Sequence, residues 1–194
     1  MTMRRAKRYT LQTFKEKEQV KDPYLPAAVP RGYGVCPSCQ AVYYHKRWSL
    51  PTLEPRRSSS RTRRTMRHAA EMAFLAPHPL LCPACRKIRE GYAQGFVSLR
   101  WDNWEAHQKD LMGLIRNEET RARRINPLER IITMHVLPDG AEIETTTERL
   151  AQRIGRQVKR AFHGTVQYKW SHKDKLVRVE WIGPSSSQNT RPMK

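Results

Sequence analysis

The 194-residue chain contains no run of eighteen apolar residues, so nothing in it reads as a membrane-spanning helix. Acids are scarce: 18 Asp and Glu stand against 37 Lys and Arg, a formal net charge of +19. Hydrophobic residues are also in short supply, at 38%, below the usual share of a globular domain. A core is possible, but much of the length must lie outside it. The N-terminal MTMRRAKRYTLQTFKEKEQ has no apolar stretch behind its basic start. No secretory signal is therefore expected, and the expected location is the cytoplasm. A nucleophile elbow, a Walker loop, GxGxxG and HExxH are all missing. Glu142 and Glu144 alternate on one strand with no base to pair with, and the His-x-Glu of zinc deaminases does not precede the cysteines. The expectation is a binding protein that is not an enzyme and takes no small-molecule substrate.

The basic surplus is uneven. Residues 1–99 hold 19 basic and 6 acidic residues, and residues 100–194 hold 18 and 12. Such a charge favours polyanions, RNA or DNA; a solvated basic surface with no partner is the plain alternative. A membrane-surface role would need a broad apolar helix face near the basic run, and residues 56–68 lack one.

The only cysteines are Cys36, Cys39, Cys82 and Cys85, in CPSC and CPAC. Two C-x2-C pairs with nothing left over point to a metal site. Two intervening residues let a tight turn aim both sulfurs at one ion, and a second turn completes a tetrahedron of thiolates. Zn2+ is the expected ion; iron ligation fits the same spacing. A redox dithiol needs a thioredoxin-like unit that is not visible, and structural disulfides need an oxidising compartment. Four thiolates leave no position open for water, so the ion is expected to be structural. His45 and His78 read as surface histidines. Lys46, Arg47, Arg86 and Lys87 follow the pairs and are placed to offset the charge of the centre.

The 42 residues between Cys39 and Cys82 exceed the usual gap of a compact ribbon. AVYYHKRW (41–48) reads as a strand. RRSSSRTRRTMRH (56–68) carries Arg56, Arg57, Arg61, Arg63, Arg64 and Arg67 without apolar period. It reads either as a flexible solubilising loop or as an arginine-rich arm that orders on phosphates. AAEMAFLA (69–76) has room for a short helix.

Beyond the second pair, residues 86–100 read as a short helix, a turn and a strand. Residues 101–125 form a helix in which Asp102 and Glu105 match a capping box and Trp104, Leu111 and Ile115 fall at helical spacing. Strands over 129–137 and 141–145 make a hairpin around Pro138-Asp139-Gly140. A helix follows from about 146 to 163, with Thr145 and Glu148 as its capping box, Leu150, Ile154, Val158 and Ala161 as its buried stripe, and Gly164 as its terminal glycine. A second hairpin pairs 165–171, with Val166, Tyr168 and Trp170 inward, to 175–182, with Val177, Val179 and Trp181 inward. The expected fold is α+β: a basic tail (1–30), a four-cysteine zinc ribbon (31–99) with a long inserted arm (50–78), a connecting helix (100–127), a ββαββ domain (128–183) and a C-terminal tail (184–194). Arg149, Arg153, Arg156 and Arg160 lie at i, i+4, i+7 and i+11 on the helix of that domain. Glu148 is the only acid among them, so ion pairs within the helix do not explain the row. It reads as a phosphate-contacting stripe or as a solvated face.

CPSCQAVYYHKRW, CPACRKIREGY, LIRNEE, NPLERI, TTTERLAQRIGRQVKRAFHG and VRVEW, in that order, resemble a family of small bacterial zinc-ribbon proteins of unassigned function. The resemblance covers residues 33–182. In that family the first pair reads CPxCGAVY; here Gln40 stands in place of the glycine, which would strain the turn. The family is in turn similar to the zinc region of the archaeal and eukaryotic large-subunit ribosome export adaptor, where a knuckle runs into a strand ending in Arg-Trp, matched here by Arg47-Trp48. The resemblance implies a ribosomal or rRNA partner. The expected function is a zinc-binding protein that docks on structured RNA, with Arg56, Arg57, Arg61, Arg63, Arg64, Arg67, Arg149, Arg153, Arg156 and Arg160 as its contacts. Tyr43, Tyr44 and Trp48 read as ribbon core sooner than as base-stacking rings. A DNA-binding or transcription-associated zinc ribbon is the alternative, although no groove-reading motif stands out.

Overall fold

A computed structural model of the chain describes residue 24 and residues 34–44, 46–51, 78–171 and 175–185. Among these residues it is a mixed α+β structure with three helices and two sheets. The arginines at 56, 57, 61, 63, 64 and 67 and the helix expected over 69–76 lie outside the described residues, as does most of both expected tails.

The small sheet consists of β1 (Gly34–Val35), β2 (Val42–Tyr44), β3 (Arg47–Ser49) and β4 (His78–Pro79), in the order β3-β2-β1-β4. The single strand expected over 41–48 is in fact two. Lys46 takes a left-handed turn with φ 63, and the reversal sets Trp48 opposite Tyr43 in an antiparallel ladder. Their rings pack with centroids 5.1 Å apart. β4 returns from the far side of the insertion and pairs with β1 in parallel, which brings the second cysteine pair beside the first.

The chain continues through α1 (Pro83–Glu90), β5 (Gly95–Arg100), α2 (Trp104–Ile125), β6 (Ile131–Leu137), β7 (Gly140–Thr145), α3 (Glu148–Phe162), β8 (Thr165–Ser171) and β9 (Leu176–Ile182). Both expected hairpins form, β6 with β7 and β8 with β9. The sheet is nevertheless larger than the ββαββ unit expected from 128–183. Its order is β6-β7-β5-β9-β8, with β5 antiparallel to β7 and parallel to β9. Two separate hairpins would each leave a strand edge with unpaired backbone groups. β5 satisfies both edges, and its alternation buries Val97 and Leu99 on the helix side. Gly95 is fixed by the same packing, since an added Cβ would stand 2.6 Å from Ala151 Cβ.

The core lies between this sheet and the two longer helices. α2 contributes Trp104, Leu111 and Ile115; α3 contributes Leu150, Ile154 and Val158; the sheet contributes Ile143, Val177, Val179 and Trp181. Trp181 Nε1 donates to the carbonyl of His163 at 2.8 Å. Burying one such large apolar side chain is worth about 1.5–3 kcal/mol. Several details depart from the sequence pattern. The N-cap of α2 is Asn103 without a side-chain bond, not Asp102. The N-cap of α3 is Thr147, whose hydroxyl accepts from Leu150 N. Thr145 instead donates to the carbonyls of Gly95 and Thr147, tying β7 to β5 ahead of the helix. α3 ends at His163, which has φ 62, so Gly164 (φ 74) lies just past the cap. Ala161 is exposed, and Ala151 and Gly155 complete the buried stripe instead. Trp170 is 48% exposed because β8 is an edge strand with a neighbour on one side only.

Candidate metal centre and basic helix face

Cys36 and Cys39 sit on the turn that joins β1 to β2. The turn closes through Gln40 N to the Cys36 carbonyl at 2.9 Å and Cys36 N to the Ala41 carbonyl at 2.8 Å. Gln40 adopts φ 61, the left-handed region in which a side chain is strained and glycine is not. The second pair opens α1. Cys82 is its N-cap and accepts from Cys85 N at 3.3 Å, and a proline occupies the first helical position. The helix N-terminus carries partial positive charge, which favours thiolates there.

The four sulfurs lie within 4.8 Å of one another. Cys39 Sγ and Cys82 Sγ are 3.6 Å apart, and Cys82 N donates to Cys36 Sγ at 3.4 Å. A tetrahedron with metal–sulfur bonds of about 2.3 Å has sulfur–sulfur edges of about 3.8 Å, so the cluster fits one ion and could hold it. Cys36 and Cys82 are fully buried, with Ala41, Ala84, Trp48, Leu50, Leu81 and Leu128 around the cluster. Burial works against ionisation of Cys36, but N–H groups of Cys82, Cys39 and Ser38 outweigh it and bring the thiol down to about 7. Burial raises the Cys82 thiol, and the neighbouring thiols push it further in the same direction. An incoming cation must displace that proton, so metal uptake is coupled to proton release.

The cation that touches a sulfur among the described residues is Arg130, whose Nη1 donates to Cys85 Sγ at 3.3 Å. Sequence spacing singles out Lys46, Arg47, Arg86 and Lys87 for this task. Lys46, Arg47 and Arg86 point to solvent. Lys87 is buried; its ammonium donates to Gln94 Oε1 at 2.9 Å and to the Thr146 carbonyl at 3.5 Å, and lies over the rings of Tyr24 and Tyr92. It joins α1 to the large sheet. His78 is exposed on β4, and His45 lies outside the described residues.

The arginine row of α3 divides. Arg149, Arg156 and Arg160 are exposed and have no ion pair among the described residues. Arg153 turns inward: its Nε contacts Glu118 at 2.7 Å and its Nη1 lies 3.6 Å from Glu129. The acids that account for it come from α2 and the loop before β6, where the local sequence of α3 gives no sign of them. Glu129 is 1% exposed, and burial lifts its carboxyl above the ordinary range despite the attraction of Arg153, the Asn126 amide and Arg149. Glu142 and Glu144 face the opposite side of the sheet; Glu142 pairs with Arg100 at 3.0 Å and Glu144 accepts from Thr133 at 3.1 Å.

Fold and site thus define an α+β protein with a four-cysteine cluster able to hold one metal ion and a helix face rich in exposed arginine. Comparison of the chain with protein-family models, with curated proteins and with solved structures finds no match. No helix among the described residues is long and apolar enough to cross a membrane.

Proposed function

We propose that this chain is a non-enzymatic, cytoplasmic zinc protein that docks on structured RNA, with the ribosome as its partner. The observation that carries the reading is that Arg149, Arg156 and Arg160 of α3 are exposed and form no ion pair among the described residues, on a chain of net charge +19. Guanidinium groups left unpaired on a rigid helix are suited to phosphate oxygens. The cysteine cluster supports a structural role for the ion: four buried or half-buried sulfurs leave no ligand position for water or substrate. The insertion carrying Arg61, Arg63, Arg64 and Arg67 adds a second phosphate-binding segment in this reading. The ribosomal partner rests on the resemblance to the zinc region of the large-subunit export adaptor.

The test is ultraviolet crosslinking in cells followed by sequencing of the bound nucleic acid, with metal analysis of the same purified chain. Enrichment of rRNA and one zinc per chain are expected. Recovery of DNA in place of RNA would replace the reading with a DNA-binding one. Iron in the purified chain would replace the assigned ion.

A further inference from the structure

Two glycines lie inside the longer helices, and internal packing explains one of them. Gly155 on α3 rests against the sheet, where an added Cβ would stand 2.6 Å from Val179 Cγ1. Gly113, in the middle of α2, is different: an added Cβ there would meet nothing within 4 Å. Glycine in a helix interior is less favourable than alanine because it gives up more backbone freedom on folding. Nothing in the described fold requires a missing side chain at this position.

The open space at Gly113 belongs to a groove between α2 and α3 with a volume of about 480 Å³. Lys109, Asn117 and Arg121 of α2 line it together with Gln157 of α3. Two carboxylates also line it. Glu118 is held by Arg153 at 2.7 Å, which leaves Asp110 as the one lining carboxylate without an ion pair among the described residues. Arg160 follows Gln157 by three residues, shares its helix face and is exposed. The other side of the sheet is unlike this one. There the cations are already engaged: Arg100 pairs with Glu142 at 3.0 Å and Lys169 with Glu180 at 2.7 Å.

We infer that the groove between α2 and α3 seats a sugar–phosphate strand of structured RNA. Gly113 leaves the floor open so that the strand approaches the helix backbone closely. Lys109, Arg121 and Arg160 meet phosphates, while the amides of Asn117 and Gln157 are suited to ribose hydroxyls. The inference rests on the RNA-docking reading and says where on the molecule the strand lies: the helix side, not the open face of the sheet.

The test uses the full zinc-loaded chain and a fluorescein-labelled RNA stem-loop, read by anisotropy over a salt series. Gly113→Ala is expected to raise the melting temperature by about 2 °C and still weaken RNA binding, a combination that a purely structural glycine does not give. Gly113→Leu, which fills the floor, is expected to weaken binding about tenfold, equal to about 1.4 kcal/mol. Arg121→Gln should lower the log–log salt slope by about 0.7–0.9. If the wild-type chain binds the stem-loop while folded Gly113→Leu and Arg121→Gln proteins bind it equally well, the groove is not the seat and the RNA-docking reading survives. If the wild-type chain does not bind the stem-loop at low salt, both fall.

Discussion

Replacing Arg130 by methionine is expected to loosen the bound metal about tenfold without unfolding the large sheet. Nη1 of Arg130 donates to Cys85 Sγ at 3.3 Å, and with an ion in place that sulfur is a thiolate. A hydrogen bond to a charged group is worth about 1.5–3 kcal/mol net. An opposing effect is also present. The Nε of Arg130 is buried without a hydrogen-bond partner, and methionine removes that burden, recovering about 1 kcal/mol. The balance is about 0.5–2 kcal/mol, and about 1.4 kcal/mol, within that span, is a factor of ten in affinity. That lies at the lower end of the ~10–100-fold effect of groups that support metal ligands. Competition with a chromophoric chelator gives the affinity, and the thiolate-to-cobalt charge-transfer band of the cobalt-substituted protein reports the sulfur directly. A variant that holds zinc with the wild-type constant and shows a superimposable cobalt spectrum would refute the assigned contact.

Gln40→Gly should stabilise the turn between the first two cysteines by about 1 kcal/mol, because φ 61 at Gln40 is strained for a side chain; an unchanged or lower melting temperature would show that the strain is absent. Glu129 gives a pH dependence. Its folded pKa is raised, so folding binds a proton between the unfolded and folded values, and stability falls as pH rises through that window. Glu129→Gln should flatten that limb of the urea midpoint against pH, and a slope that persists would assign it to another group. Removing the metal by chelation should expose residues 34–51 and 78–90 to hydrogen exchange while the core around Trp104, Ile143 and Trp181 stays protected; simultaneous loss of protection would mean that the large sheet depends on the ion.

Local pattern made much of the molecule readable. Each C-x2-C turn aims its own two sulfurs by local geometry, while the pairing of β4 with β1 brings the two turns together; the hairpins follow from alternation and turn chemistry. What escaped depends on contacts remote in sequence. β5 reads as a strand from GFVSLR, but its place at the centre of the sheet is set by two partners, β7 and β9, that lie far along the chain. Arg153 belongs to an apparently uniform basic stripe until Glu118 and Glu129 arrive from other elements. Arg130 lies 45 residues from the thiol it touches, and no spacing rule connects them. The caps of α2 and α3 moved because several Thr, Asn and Asp residues compete for one position, and the strand ahead of α3 claims Thr145.

Co-sedimentation of the zinc-loaded chain with purified ribosomes, in parallel with RNase-treated ribosomes, over a range of salt tests the central claim most directly. Binding is expected at low salt, declining linearly on a log–log plot with a slope of about 0.7–0.9 per phosphate contact, and it should disappear after RNase treatment. A chain that stays in the supernatant at low salt, or that prefers heparin to ribosomes, would contradict a docking role on structured RNA.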